Sequence, residues 1–214
     1  MTEPQPFWSG AFSKDSILPA TVLLLIGAIV KYSVDLRLAR RKDRLDRANA
    51  QLKLLYGPLY AAAEASDAAW AEFKAKFFPD RANFFDATHH GADELATWCR
   101  WMIDVSMPIN DSIITLLRGN ADLLRGSGFP DTFERFVRHA ASYKSIMGLW
   151  ATLPTSNVSW DNLERWYLAT EPFPREFLDD VRMYYQAAKN EQEELISAVQ
   201  HRSKAKNMGR DGRA

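Results

Sequence analysis

Residues 17–30, which open on Ile17 and close on Val30, carry no charge, and their Leu, Ile and Val are diluted only by Pro19, Ala20, Thr21, Gly27 and Ala28. A stretch that is apolar all round needs either a protein core or a bilayer as its solvent. Taken alone it is short of the ~20 residues that cross about 30 Å of hydrocarbon. Counted from Ser16 to Val34 the run reaches nineteen residues, roughly 28 Å at about 1.5 Å per residue, with Lys31 lying along the helix and its ammonium carried out to the headgroups. Pro19 falls in the first turn, where its missing N–H has no intrahelical use. Nine strong apolar residues contribute roughly −4 kcal/mol towards insertion, more than the reduced cost of a lysine near the helix end. Trp8 and Phe12 before the run and Tyr32 after it suit the two membrane interfaces.

A cleaved signal peptide needs a basic start and a small-residue cleavage site. Here Lys14 is the one base ahead of the run, beside Asp15, whereas Lys31, Arg37, Arg40, Arg41, Lys42, Arg44 and Arg47 follow it. That asymmetry predicts an uncleaved single-pass anchor in the inner membrane, with the N-terminus outside and the C-terminal domain in the cytoplasm. A lone cysteine, Cys99, fits a reducing compartment and excludes an intrachain disulfide framework.

Charges balance over the whole chain but not along it. Residues 31–47 carry seven bases against three acids, and 201–214 carry five bases against one acid. The body, 48–200, holds 14 bases against 21 acids. An acidic body is poorly suited to phosphate backbones, so nucleic acid is excluded as a partner. The basic collar after the apolar run is explained by topology, or by attraction to anionic lipid.

From Val34 to Tyr56 the sequence reads as a charge-rich helical stalk. Leu38, Leu45, Leu52 and Leu59 recur at seven, with Ala48 and Leu55 between them, a short heptad pattern interrupted at Arg41. Such a stripe either forms a parallel coiled coil between two anchors or docks on the body, and three flawed heptads favour docking or a solvated stalk. Gly57-Pro58 is expected to kink or restart the helix. The body then repeats its apolar residues at three and four. Leu59, Ala63, Trp70, Phe73 and Phe77 lie on one helix, and Leu95, Trp98, Cys99, Met102 and Val105 on a second at 92–106. A third opens at Pro108 with Ile109, Ile113 and Leu117. A fourth spans about 130–150 with Phe133, Phe136, Ala140 and Tyr143, a short helix capped by Ser159 follows, and the last runs from about Pro174 to His201. No run alternates as a strand must. The expected architecture is all-α: a tail at 1–15, a transmembrane helix at 16–34 continuing into a stalk at 35–56, an antiparallel helical bundle at 57–200, and a disordered basic tail at 201–214.

The pieces Tyr56-Gly57-Pro58-Leu59-Tyr60, Met107-Pro108-Ile109-Asn110 and His139 with Tyr143 resemble a set of uncharacterised bacterial proteins, some of which carry a similar N-terminal anchor. The resemblance covers about 52–194. It implies a bacterial source and a helical body, and it carries over no activity and no site residue.

Asp86, His89, His90, Asp93 and Glu94 are metal-ligand types, yet adjacent loop histidines lack the spacing that sets ligands on one face. The acids flank a helix start, where the dipole favours them. His139 and Tyr143 stand one helical turn apart on an apolar face and read as a buried, hydrogen-bonded pair. Asn110 and Asp111 follow Pro108 in a first turn, where capping accounts for them. Ser112, Ser142 and Ser145 show no histidine-acid arrangement, and Cys99 reads as core packing. No phosphate-binding glycine loop, dinucleotide fingerprint, HExxH or kinase set is present. Of the seven tryptophans, Trp101 and Trp160 are the candidates for an exposed patch. These residues assign no catalytic, cofactor or metal site. The reading is a membrane-anchored cytoplasmic helical domain that binds a protein partner or itself, as an interaction, sensor or assembly module. The alternative is an anchored enzyme or small-ligand receptor with a pocket near His139, Tyr143 and Asn110.

Overall fold

In a computed structural model of the chain, the backbone is described for residues 14–86, 88–89, 91–126, 128–153 and 159–211, and the side chains for those of them from Val22 to Ala198. The chain divides into two compact units, 1–46 and 47–214, and the described secondary structure is helical throughout, with no strand among the described residues. The first unit is described through helix α1 (Lys14–Ala50). Among the described residues no helix is long and apolar enough to cross a membrane. The apolar residues from Val22 to Val30 give way to Lys31, Asp35 and Arg37, and the side chains expected to complete the span at 16–21 lie outside those described. What the described part does show is an apolar surface on every side of the helix: Leu23 is 69%, Leu24 75% and Ile29 64% exposed.

The second unit contains α2 (Gly57–Phe77), α3 (Ala92–Trp101), α4 (Met107–Gly119), α5 (Asp131–Met147), α6 (Trp160–Tyr167) and α7 (Phe177–Asp211). Cross-helix pairs fix their directions. Tyr60 with Tyr185 and Glu64 with Arg182 run α7 antiparallel to α2, and Asn49 at the end of α1 with Gln192 continues the same pairing. Phe133 with Tyr184 and Phe136 with Phe177 run α5 antiparallel to α7. On α4, Asp111 meets Lys144 of α5, while Ile113 and Leu117 share a cluster with Phe133 and Phe136. The four long helices therefore alternate up and down around one core. α7 runs to Asp211, past the end expected near His201.

That core has two ends. One gathers Leu55, Leu59 and Ala63 with Ile113, Leu117, Phe133, Phe177 and Val181. The other is aromatic: Phe73, Phe78, Phe84, Phe85, Trp98, Tyr143, Trp150 and Tyr167 pack with Leu95, Met102 and Leu163. The heptad stripe is split accordingly. Ala48, Leu55 and Leu59 are buried in the bundle, so this part of the stripe packs on its own body, whereas Leu38 is exposed.

At neither proline does a new helix begin after a break. Gly57-Pro58 does not restart the helix and Pro108 does not open a new one; each is preceded by a π turn, at Gln51–Tyr56 and Met102–Ser106. A proline ring clashes with the carbonyl four residues back and offers it no N–H, so ordinary helical bonding cannot continue through Leu54 or Asp104. The helix widens instead, and Gly57 N–H donates to Leu52 O and Met107 N–H to Met102 O, the i to i−5 pattern of a π turn. At Gly57 this brings the chain so close that an added Cβ would lie 2.5 Å from the Leu52 carbonyl oxygen.

Candidate functional site

The polar residues singled out in the sequence are used by the fold in local or strapping roles. Asp86 Oδ1 accepts hydrogen bonds from the Thr88 and His89 backbone N–H groups at 2.8 and 2.9 Å and lies 2.9 Å from His89 Nδ1. The bonds from Thr88 and His89 hold its carboxyl well below the usual carboxylate range. It organises its own turn. Glu94 accepts from Gly91 N–H at 3.2 Å and so caps α3, as acids at a helix start do. His90 lies outside the described residues, and among those described no three His, Cys, Asp or Glu gather in a metal-binding group.

Asn110 is a correction. It does not cap α4, whose Ser106 end has no side-chain cap; it is buried on the inner face, 2% exposed, with its amide directed at Met107 Sδ at 3.7 Å. Asp111 instead pairs across the helix interface with Lys144 Nζ at 2.7 Å. The Ser112 and Ser145 hydroxyls donate back to the carbonyls of Ile109 and Ala141. Cys99 is half-buried and its thiol is pushed up to about 11 by desolvation, which keeps it protonated at neutral pH and a poor nucleophile.

His139 and Tyr143 stand edge to face, with ring centroids 5.1 Å apart, and they belong to a device the sequence conceals. The chain leaves α6 as a non-helical strap before α7, and a row of side chains pins the last turn of α6 and the strap. Trp150 Nε1–H donates to Trp166 O at 2.8 Å, Trp98 Nε1–H to Tyr167 O at 3.1 Å, and His139 Nδ1 lies 2.8 Å from Glu171 O. Tyr143 adds a bond with the Ala169 backbone. A carbonyl only accepts, so His139 carries its proton on Nδ1. The first two acceptors are last-turn carbonyls of α6, which have no intrahelical donor. Burial pushes the His139 imidazole down, against a smaller upward pull from Glu171, and pushes the Tyr143 phenol up. Glu171 is gripped in turn by Arg135 and Arg138, each at 3.5 Å. These groups are occupied with holding chain to chain, and no described hydrogen bond joins Asn110 to them.

Trp101 and Trp160 are half-buried against the aromatic core rather than projecting from it. The exposed aromatic edge lies beside Trp101: Trp70 is 38% and Phe77 42% exposed, and Trp70 lies 5.6 Å from the Trp101 ring. On the π turn that packs against α2, Ile103 and Val105 are also exposed.

A separate groove of about 510 Å³ opens where the first π turn faces α7. Leu52, Gly57 and Tyr185 form its less polar part; Asn49, Lys53, Lys189 and Gln192 complete it. Gln192 donates to Asn49 Oδ1 at 2.6 Å. Lys53 and Lys189 come together only because α7 folds back antiparallel on the start of the bundle, and neither carries a motif that spacing could reveal. Compared with protein-family models, with curated proteins and with solved structures, the chain matches none.

Proposed function

We propose that the chain is a single-pass membrane protein, anchored through residues 17–30, whose helical bundle works in the cytoplasm as an interaction or assembly module for a protein partner or a second copy. The observation that carries this reading is the all-round exposure of apolar side chains from Val22 to Val30. A helix docking on protein keeps one apolar stripe; consecutive exposed Leu23, Leu24, Leu25 and Ile26 face every direction and are matched by hydrocarbon. The bases that follow from Lys31 to Arg47 favour a cytoplasmic C-terminal side.

The partner-facing surface is the edge of Trp70, Phe77 and Trp101 with Ile103 and Val105. Exposed aromatic rings seated on a rigid core are the anchors around which interfaces concentrate their binding energy. The occupied hydrogen bonds of His139 and Tyr143 favour this over a pocket enzyme.

Leu24→Arg with Ile26→Arg tests the anchor. Two arginines at the helix centre add about 5–7 kcal/mol against roughly −4 kcal/mol of apolar gain. The wild-type chain is expected in the alkali-resistant membrane pellet and the double variant in the supernatant. A double variant that stays in the pellet contradicts the anchor.

A further inference from the structure

We propose that the groove between the first π turn and α7 binds a phosphate group, with Lys53 and Lys189 as its two cationic contacts. Elsewhere the bundle sets opposite charges against each other across its helices, as in Asp111 with Lys144 and Glu64 with Arg182. In this groove Lys53 from the π turn and Lys189 from α7 both contribute to the lining, and neither has a carboxylate within ion-pairing distance among the described residues. Like charges placed together repel, and an anion between them turns that repulsion into two charge-assisted bonds. The other polar groups suit the same ligand. Asn49 uses its carbonyl oxygen to accept from Gln192, which leaves its amide N–H groups as donors. Gly57 contributes no side chain to the groove, and the Tyr185 ring, stacked on Tyr60 at 5.1 Å, gives it a flat wall. The body around it is acidic overall, so the attraction is local and selects a small anion over a nucleic-acid backbone. The proposal is independent of the membrane anchor.

Phosphate of this kind comes from a soluble metabolite or from a lipid headgroup, and two probes separate them: pyrophosphate and glycerophosphoglycerol, the latter a headgroup without its acyl chains. Calorimetric titration of the full chain in uncharged detergent is expected to give saturable binding of at least one probe. Lys53→Gln and Lys189→Gln are each expected to weaken it about tenfold, and the paired control Lys74→Gln with Lys76→Gln, on the exposed part of α2, to leave it unchanged. Pyrophosphate alone assigns a soluble ligand, and glycerophosphoglycerol a lipid. In the wild-type chain the bound probe also slows chemical acetylation of Lys53 and Lys189 relative to Lys74 and Lys76, a readout that needs no variant to fold. Absence of saturable binding by both probes, equal loss in the control, or unprotected Lys53 and Lys189 overturns the proposal.

Discussion

Replacing Gly57 by alanine should destabilise the bundle, although the same exchange inside an ordinary helix stabilises by about 1 kcal/mol. Gly57 has φ −65° and ψ −57°, a conformation open to any residue, so backbone strain is not the reason. The reason is the π turn, which puts the Leu52 carbonyl oxygen 2.5 Å from the new Cβ. That oxygen accepts the N–H of Gly57 itself, and Pro58 prevents the helix from reverting to regular bonding. Moving the carbonyl away weakens this hydrogen bond and disturbs packing around buried Leu55 and Tyr56, at a cost of about 2–3 kcal/mol. Less the propensity gain, about 1–2 kcal/mol of destabilisation remains, at about 2–4 °C of Tm per kcal/mol for a domain of this size. Gly148→Ala is the matched control: its backbone is also helical and a Cβ there meets nothing within 4 Å. Thermal unfolding of both variants, followed by circular dichroism on the full chain, should lower Tm for Gly57→Ala and leave it level or raised for Gly148→Ala. A Gly57→Ala protein as stable as the control would refute the account of the π turn.

The strap gives a pH dependence with a definite sign. His139 has its imidazole pushed below the ordinary value of 6.5 by burial, so between that value and the lower native one the unfolded chain binds more protons, and stability falls as pH falls. Denaturant unfolding across this window should show a shallower acid slope for His139→Gln than for wild type, and equal slopes would remove His139 as the cause. Trp98→Phe and Trp150→Phe each leave a last-turn carbonyl of α6 without its indole donor and should lose about 1–2 kcal/mol in chemical denaturation. Because they hold adjacent carbonyls, their double variant should lose less than the sum, and strict additivity would mean that the end of α6 is not held as one unit. Trp70→Ala removes a partly exposed ring and should reduce partner recovery severalfold, with the fold retained by circular dichroism.

Periodicity in the sequence marks the helices and most of their inward residues, because spacing at three and four is a local property that the bundle uses directly. Phe133, Phe136 and Tyr143 are buried as that spacing requires. Local reasoning fails where the chain meets itself at a distance. Asn110 is a capping residue type that follows Pro108 in what reads as a first turn, yet the π turn carries the helix through Pro108, and a residue inside a continuous helix has no free N–H end to cap. The strap is hidden for a related reason: Trp98 finds Tyr167 and His139 finds Glu171 only once the helices have packed. Spacing places His139 and Tyr143 together on one turn, but what they hold lies on another segment. The groove lysines belong to the same class, brought to one place by the antiparallel return of α7.

A tethered interaction module is tested most directly by quantitative affinity purification of the full-length, C-terminally tagged chain from native membranes in mild detergent. Bound proteins are identified by mass spectrometry, and wild type is compared with Trp70→Ala and with a chain that keeps the anchor but lacks 57–200. The account predicts a near-stoichiometric partner, or a second copy, that is reduced by Trp70→Ala and lost with the bundle. Recovery of the chain alone as a monomer, or a partner kept by the anchor without the bundle, contradicts it.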